Sequence, residues 1–166
     1  MRILISGKHG QVSSELQKRL GAMGELVVPG RDQLDLAQPE QIRQQVRRVR
    51  PDLIINAAAY TAVDKAQSEK AVAFAVNAQA PGILAEEAAA LGIPLIHYST
   101  DYVFDGRKGA PYTETDATNP LGVYGESKLA GEQAITAVQG KHLILRTSWV
   151  YSTHGHNFLL TMQRLL

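Results

Sequence analysis

Tyr124 and Lys128 stand four residues apart in Tyr-Gly-Glu-Ser-Lys, at the start of a stretch with helical periodicity. Residues at that spacing share one face of a helix. A lysine ammonium beside a phenol stabilises the phenolate and lowers the phenol's pKa toward working pH. Tyr124 could then pass a proton to a ketone oxygen while hydride arrives at the carbon. An exposed helix face would carry the same pair with no chemistry attached. Ser99-Thr100-Asp101 ends an apolar run, and ligands of open α/β sheets bind beyond the carboxyl ends of the strands. Thr100 would offer its hydroxyl to the same carbonyl oxygen.

Near the amino terminus the order Gly7-Lys-His-Gly10-Gln-Val-Ser13 follows a strand-like run and opens a helix. In that setting backbone N–H groups and the positive helix end face a pyrophosphate. Gly7 would make the turn, Gly10 would let the backbone approach the phosphates, and Ser13 would pack the helix on the sheet. An ordinary β-to-α turn has the same outline. After the second run come Gly30, Arg31 and Asp32; an arginine there meets a 2′-phosphate, so Arg31 points to NADPH, unless it is a solvated loop residue neutralised by Asp32. Asn56-Ala57-Ala58-Ala59-Tyr60 follows the third run, and its small residues would let backbone lie against a cofactor ribose or simply pack tightly. Asn77, a poor mid-helix residue, would hold a water near Lys128 or lie on the surface.

The elements that must position these residues are legible from hydrophobic pattern. Runs at Ile3 to Ile5, Leu26 to Val28, Leu53 to Ile55, Leu95 to Ile96 and Leu143 to Leu145 lack a polar alternation, as strands buried on both faces do. Between them Val12 to Met23, Pro39 to Val49, Glu69 to Leu91 and Tyr124 to Val138 have helical periodicity. The alternation predicts α/β architecture, a doubly wound parallel sheet of the Rossmann-like NAD(P)-binding kind. Gly24, Gly92 and Gly140 are placed to cap helices in the left-handed region, and Pro39 suits a first helical turn. Pro81 either kinks its helix or marks two helices abutting near Asn77. A chain of 166 residues with 45% apolar side chains supports one core, so residues 1–166 read as one domain. It stops straight after the amphipathic stretch Asn157 to Leu166, which suggests a piece of something longer.

Composition excludes several functions. Lys+Arg 17 against Asp+Glu 16 gives no basic surface for nucleic acid. The lack of cysteine removes disulfides, thiolate metal sites and cysteine nucleophiles. No apolar run reaches membrane-spanning length and no cleavage site follows the first run, so the chain reads as soluble and cytoplasmic with no membrane partner. His154 and His156 lack a third ligand nearby and read as a surface loop. Arg43, Arg47, Arg48 and Arg50 read as a solvated outer face rather than an anion site.

Taken together, Gly-x-x-Gly-x-x-(small), Asn-Ala-Ala, Ser-Thr-Asp and Tyr-x-x-x-Lys resemble the extended short-chain dehydrogenase/reductases. The blocks Gly7-Lys-His-Gly-Gln, Asn56 to Asp64, His97 to Gly106, Asn119-Pro-Leu, Tyr124 to Lys128 and Arg146 to Tyr151 are more specifically similar to the dTDP-4-dehydrorhamnose reductase family, over essentially the whole chain. The resemblance implies reduction of the 4-keto group of a nucleotide-linked deoxysugar, dTDP-4-dehydro-L-rhamnose, to dTDP-L-rhamnose for bacterial surface polysaccharide, with NADPH or alternatively NADH. It implies Thr100, Tyr124 and Lys128 as catalytic residues. It places cofactor on Gly7, His9, Gly10, Gln11, Val12, Arg31, Asp35, Leu36, Ala57, Ala58, Ala59, Tyr60, Tyr124 and Lys128. Substrate falls to Thr61, Val63, Thr100, Asp101 and Trp149, the last as a stacking surface for sugar or base or else as a core anchor. Some members join as dimers through magnesium near the position of Glu15; a solvated glutamate is the reading adopted, so no metal is assigned, and a homodimer stays open. Ser13 for the usual glycine and Gln67 for the usual glutamate depart from the pattern. The family also has a carboxyl-terminal region that closes the sugar-nucleotide pocket, expected beyond Leu166. Two alternatives stay open: a non-catalytic dinucleotide-binding regulatory subunit, and a sugar-nucleotide epimerase.

Overall fold

The computed structural model describes all 166 residues. Its centre is a parallel sheet of β1 (Arg2–Ser6), β2 (Glu25–Val27), β3 (Leu53–Asn56), β4 (Leu95–Thr100) and β5 (His142–Thr147) in the order β2-β1-β3-β4-β5. Ile3 to Ser6 pair with Leu53 to Asn56, and Leu95 to Thr100 with His142 to Thr147. The helices are α1 (Gln11–Leu20), α2 (Pro39–Val49), α3 (Val63–Ala66), α4 (Lys70–Phe74), α5 (Ala80–Leu91), α6 (Val123–Ala137) and α7 (Phe158–Leu165). The chain leaves β1 toward β2 on one side and returns through α2 to β3 on the other. That reversal opens a crevice beyond the carboxyl ends of β1 and β3, where doubly wound sheets bind ligands.

Alternate strand residues bury on opposite faces, which explains the apolar runs without polar gaps. Leu4, Ile54 and Leu95 join Ile42, Val46, Leu84 and Ile135 in the larger core under α2, α5 and α6. Ile3, Ile5 and Ile55 pack with Leu16 and Leu20 of α1 on the other face. No helix is long and apolar enough to cross a membrane.

Four local expectations are corrected or refined. The first helix ends at Leu20 with Gly21 right-handed, and Gly24 serves close packing instead, since a side chain there would meet the Met1 carbonyl. Past α6 the left-handed residue is Gln139, at φ 56°, and not Gly140; Gly92 does cap α5 at φ 71°. Around Pro81 two helical segments, α4 and α5, meet near Asn77 without leaving helical backbone conformation. The backbone widens into a π turn at Ala75–Gln79 and resumes with Pro81 in the first turn of α5, where a missing N–H does no harm. The arginine cluster is likewise not simply solvated. Arg43 and Arg47 grip the buried Glu87 of α5 at 3.1 and 2.6 Å, Arg43 reaches Glu86 at 2.8 Å, and Arg48 and Arg50 alone stay free on the outer face. The paired guanidiniums hold the Glu87 carboxyl below its ordinary range, so this cluster fastens α2 to α5.

Candidate active site

The β1–α1 turn is shaped by one backbone conformation and one close approach. Gly7 takes φ 82°, and a side chain there would press within 3.1 Å of Ala58, so both torsion and space require glycine. Gly10 N donates to the Gly7 carbonyl at 2.8 Å and α1 begins at the next residue. Ser13 is fully buried beneath it, so the serine fits where a smaller residue is usual. Ala58 N donates to Ser6 Oγ at 3.1 Å, which draws the Ala57 to Ala59 backbone against the turn. At the tip of β2 the exposed Arg31 pairs with Asp35 at 3.3 Å, not with Asp32. Asp35 accepts from Ala37 N at 2.9 Å and its own N–H donates to Gln41 at 2.7 Å, which fixes the loop bearing the buried Leu36.

Asn77 is 1% exposed and lies in the π turn. Its Oδ1 accepts from Tyr60 N at 2.8 Å, and its Nδ2 donates to Tyr60 O at 3.0 Å and Ser127 Oγ at 3.0 Å. It is neither a surface residue nor a partner of Lys128. Its amide clamps the backbone of the Ala57 to Tyr60 loop to α6, and the wider turn carries that clamp.

At the other end of the cleft, Thr100 terminates β4 and its Oγ1 accepts from Tyr102 N at 3.2 Å. Tyr124 is half-buried in the first turn of α6, its ring edge-on to Tyr102 at 5.4 Å. Burial pushes the phenol's pKa up, the Thr100 hydroxyl pulls it down, and Asp101 and Tyr102 push it further up. Lys128 is 1% exposed, and its Nζ donates to the Tyr98 carbonyl at 2.7 Å and lies 3.2 Å from His97 Nε2. The expected lowering of the phenol by the ammonium is therefore not what this structure displays. Lys128 is turned under β4, and burial pushes its own pKa down to about 8.

These ends share one cleft of about 940 Å³. Every residue expected at the site lines it except Asp101. The Asp101 carboxylate accepts instead from Thr100 at 3.1 Å and Ser148 at 2.7 Å, which ties the β4 and β5 loops together. On the open side lie Thr61, Val63 and Trp149, all exposed. Trp149, 72% exposed at φ 51° and edge-on to Phe158, is no core anchor. Sequence reasoning missed Tyr98, Ser99, Tyr102, Glu69 and Thr147 of the lining, and the buried His97 behind it. A histidine in an otherwise apolar strand was the signal for the last. His154, expected in a plain surface loop, is half-buried, with Nδ1 3.8 Å from Glu15, which also pairs with Lys18 at 2.7 Å.

A glycine turn at the switch point of a parallel sheet, sharing its cleft with a threonine, tyrosine and lysine near the neighbouring strand end, marks a protein of the Rossmann-like, NAD(P)-binding class. The family described as RmlD substrate binding domain matches residues 1–166, and the chain belongs to it. Its relatives include dTDP-4-dehydrorhamnose reductases from Burkholderia thailandensis, 49% identical over 99% of this chain and 55% of that protein, and Escherichia coli K12, 52% identical over 99% and 56%. The solved dTDP-4-dehydrorhamnose reductase of Bacillus anthracis, in complex with NADP, superposes with a TM-score of 0.94 at 38% identity, covering 99% of this chain and 59% of that one. The chain thus spans about half the length of the relatives it matches.

Proposed function

We propose that this chain is the cofactor-binding and proton-donating part of an NADPH-dependent dTDP-4-dehydrorhamnose reductase. The observation that carries this is the meeting of Thr100, Tyr124 and Lys128 in the same cleft as the Gly7 turn. The cleft suits a dinucleotide. A side chain would fill the cradle at Gly7, α1 presents its N-terminus there, and Arg31 stands exposed at the far rim. Gly7, His9, Gly10, Gln11 and Val12 would hold the pyrophosphate. Arg31, Asp35 and Leu36 would take the adenosine end, with Arg31 on a 2′-phosphate. Ala57 to Tyr60 would lie along the central riboses. Bound NADPH supplies the hydride.

The protein's own part is to place and protonate the ketone. The Thr100 hydroxyl orients the C4 carbonyl oxygen, and Tyr124 donates its phenolic proton to that oxygen as the carbon–hydride bond forms. The phenolate left behind is then reprotonated from solvent. A phenol that burial pushes up keeps its proton at neutral pH until the reaction calls for it. Lys128 contributes positive charge behind the site when protonated and an anchored position in either state. Thr61, Val63 and Trp149 would contact the sugar and nucleotide. The cysteine-free composition accords with a reducing cytosol, where we place the protein.

Calorimetric titration with NADPH and NADH, followed by an assay of NADPH absorbance with dTDP-4-dehydrorhamnose, tests the reading. Tighter binding of NADPH is the expected result. Failure to bind either nucleotide would overturn it.

A further inference from the structure

Four buried polar side chains are joined in sequence behind the cleft and reach its lining at Lys128: Ser6 on β1, Asn56 on β3, His97 on β4 and Lys128 on α6, exposed by 2%, 0%, 0% and 1%. Ser6 Oγ lies 2.6 Å from Asn56 Oδ1, Asn56 Nδ2 lies 3.0 Å from His97 Nδ1, and His97 Nε2 lies 3.2 Å from Lys128 Nζ. Each ring nitrogen of His97 thus has its own partner, and a neutral imidazole has one donor and one acceptor to offer.

The chain of bonds has a direction. When Asn56 Nδ2 donates to His97 Nδ1, the ring proton sits on Nε2 and points at Lys128, an arrangement only an uncharged amine can accept. With the Asn56 amide turned over and the ring proton on Nδ1, Nε2 accepts from the ammonium, and Asn56 Nδ2 donates to Ser6 Oγ. The heavy atoms occupy the same places in both cases. Burial and the neighbouring lysine hold the His97 pKa well below its ordinary value, so the ring stays neutral. The neutral ring can follow the lysine's charge by exchanging tautomers: Nε2 accepts from the ammonium in one, and donates to the lone pair of the free amine in the other.

We propose that His97 is a positioning residue for Lys128: its two neutral tautomers, backed by the Asn56 amide, give the lysine a hydrogen-bond partner in both charge states and hold Nζ under Tyr98 as that charge changes. This rests on the reading in which Lys128 serves Tyr124 and the cofactor. The titratable groups around the lysine are His97 on β4, Tyr124 and Glu132 on α6, and, through Glu132, Arg146 on β5. Glu132 favours the ammonium but is itself taken by Arg146 at 2.6 Å and Ser99 at 2.5 Å. His97 is the side chain that bonds Nζ directly.

The test is NMR of the 166-residue chain carrying ¹⁵N-ring histidine and ¹³Cε lysine, between about pH 6 and pH 10, the span that brackets histidine and lysine titration. The His97 ring should exchange its protonated nitrogen at the Lys128 midpoint without becoming imidazolium. A tautomer that stays fixed through the Lys128 titration overturns the proposal, and this measurement needs no variant to fold. His97→Gln, whose amide can turn either its oxygen or its nitrogen to Nζ, should keep the midpoint. His97→Leu should lower it by about one pH unit, because the ammonium loses an acceptor worth more to it than to the amine; an unmoved midpoint in folded His97→Leu also overturns it. NADPH titrated into the same samples separates the two readings. A tautomer exchange without NADPH binding supports His97 and overturns the reductase reading alone.

Discussion

Tyr124 and Lys128 sit in one helix yet are tuned by different surroundings. Burial raises the phenol and lowers the amine to about 8, so both shifts favour uncharged groups. If Tyr124 is the acid of the proposed function, this keeps it loaded. Tyr124→Phe should leave cofactor affinity near normal and slow ketone reduction by about 10²- to 10⁴-fold in stopped-flow or steady-state assays, the usual range for a general acid. For the lysine there is a stability consequence. Its folded pKa lies below the unfolded 10.5, so between about pH 8 and 10.5 the unfolded chain binds more protons. The penalty of burying the ammonium is therefore fully present below that window and is relieved as pH rises through it. Thermal melts should show Lys128→Met flattening the resulting rise in stability. Arg31→Ala should cut NADPH affinity while sparing NADH, because only the former carries a phosphate for the guanidinium; calorimetry with both nucleotides reads this directly. The Tyr-x-x-x-Lys spacing revealed the pair, but not that Lys128 Nζ turns to Tyr98 O and His97, since that depends on strands distant in sequence.

Elements were legible where hydrophobic pattern is local and obscure where tertiary contact decides. All five strands and the main helices lie where apolar periodicity put them. Only β1, β3 and β4 are buried as that pattern led one to expect; the edge strands β2 and β5 have no fully buried residue, and Leu143 of β5 is exposed. The π turn at Ala75–Gln79 has no periodic signature of its own, and its purpose becomes visible only with Asn77 clamped to Tyr60. The Arg43 and Arg47 clamp was equally hidden, since Glu87 lies about forty residues away and local spacing made the arginines look solvated. The close seating of α6 on that turn makes a further prediction. A side chain at Gly131 would collide with the Asn77 carbonyl oxygen, in the turn whose amide fixes Tyr60. Gly131→Ala should therefore destabilise the fold by about 1–3 kcal/mol, as overpacking does. Among molecules still folded it should weaken NADPH binding by shifting the Ala57 to Tyr60 loop, so denaturant unfolding and calorimetry together check it. Normal stability with normal binding would mean that α6 yields without disturbing the clamp.

At the scale of the whole molecule the cleft is unequal. The side to which the proposed function assigns cofactor is built from the glycine turn, the Ala57 to Tyr60 loop and the Arg31 loop, each held by side-chain bonds to the backbone. The side to which the proposed function assigns substrate is offered by Thr61, Val63 and Trp149, all exposed, the indole lying edge-on to Phe158. Hydride transfer needs the C4 carbonyl held within contact of both nicotinamide and Tyr124, and positioning of that kind accounts for about 7 to 11 kcal/mol of a barrier. A sugar nucleotide resting on three exposed side chains would sample many orientations while NADPH remained well seated. The purified 166-residue chain is therefore expected to bind NADPH yet turn over dTDP-4-dehydrorhamnose far more slowly than the longer Escherichia coli relative assayed alongside it. Trp149, Tyr151, Phe158 and Leu165 are also exposed, with Trp149 and Phe158 in contact, and exposed apolar surface promotes association, so sedimentation at rising concentration should show self-association that added detergent reverses. Turnover matching that of the relative would show that these residues grip the substrate unaided, and the division of labour argued from the two sides of the cleft would be wrong.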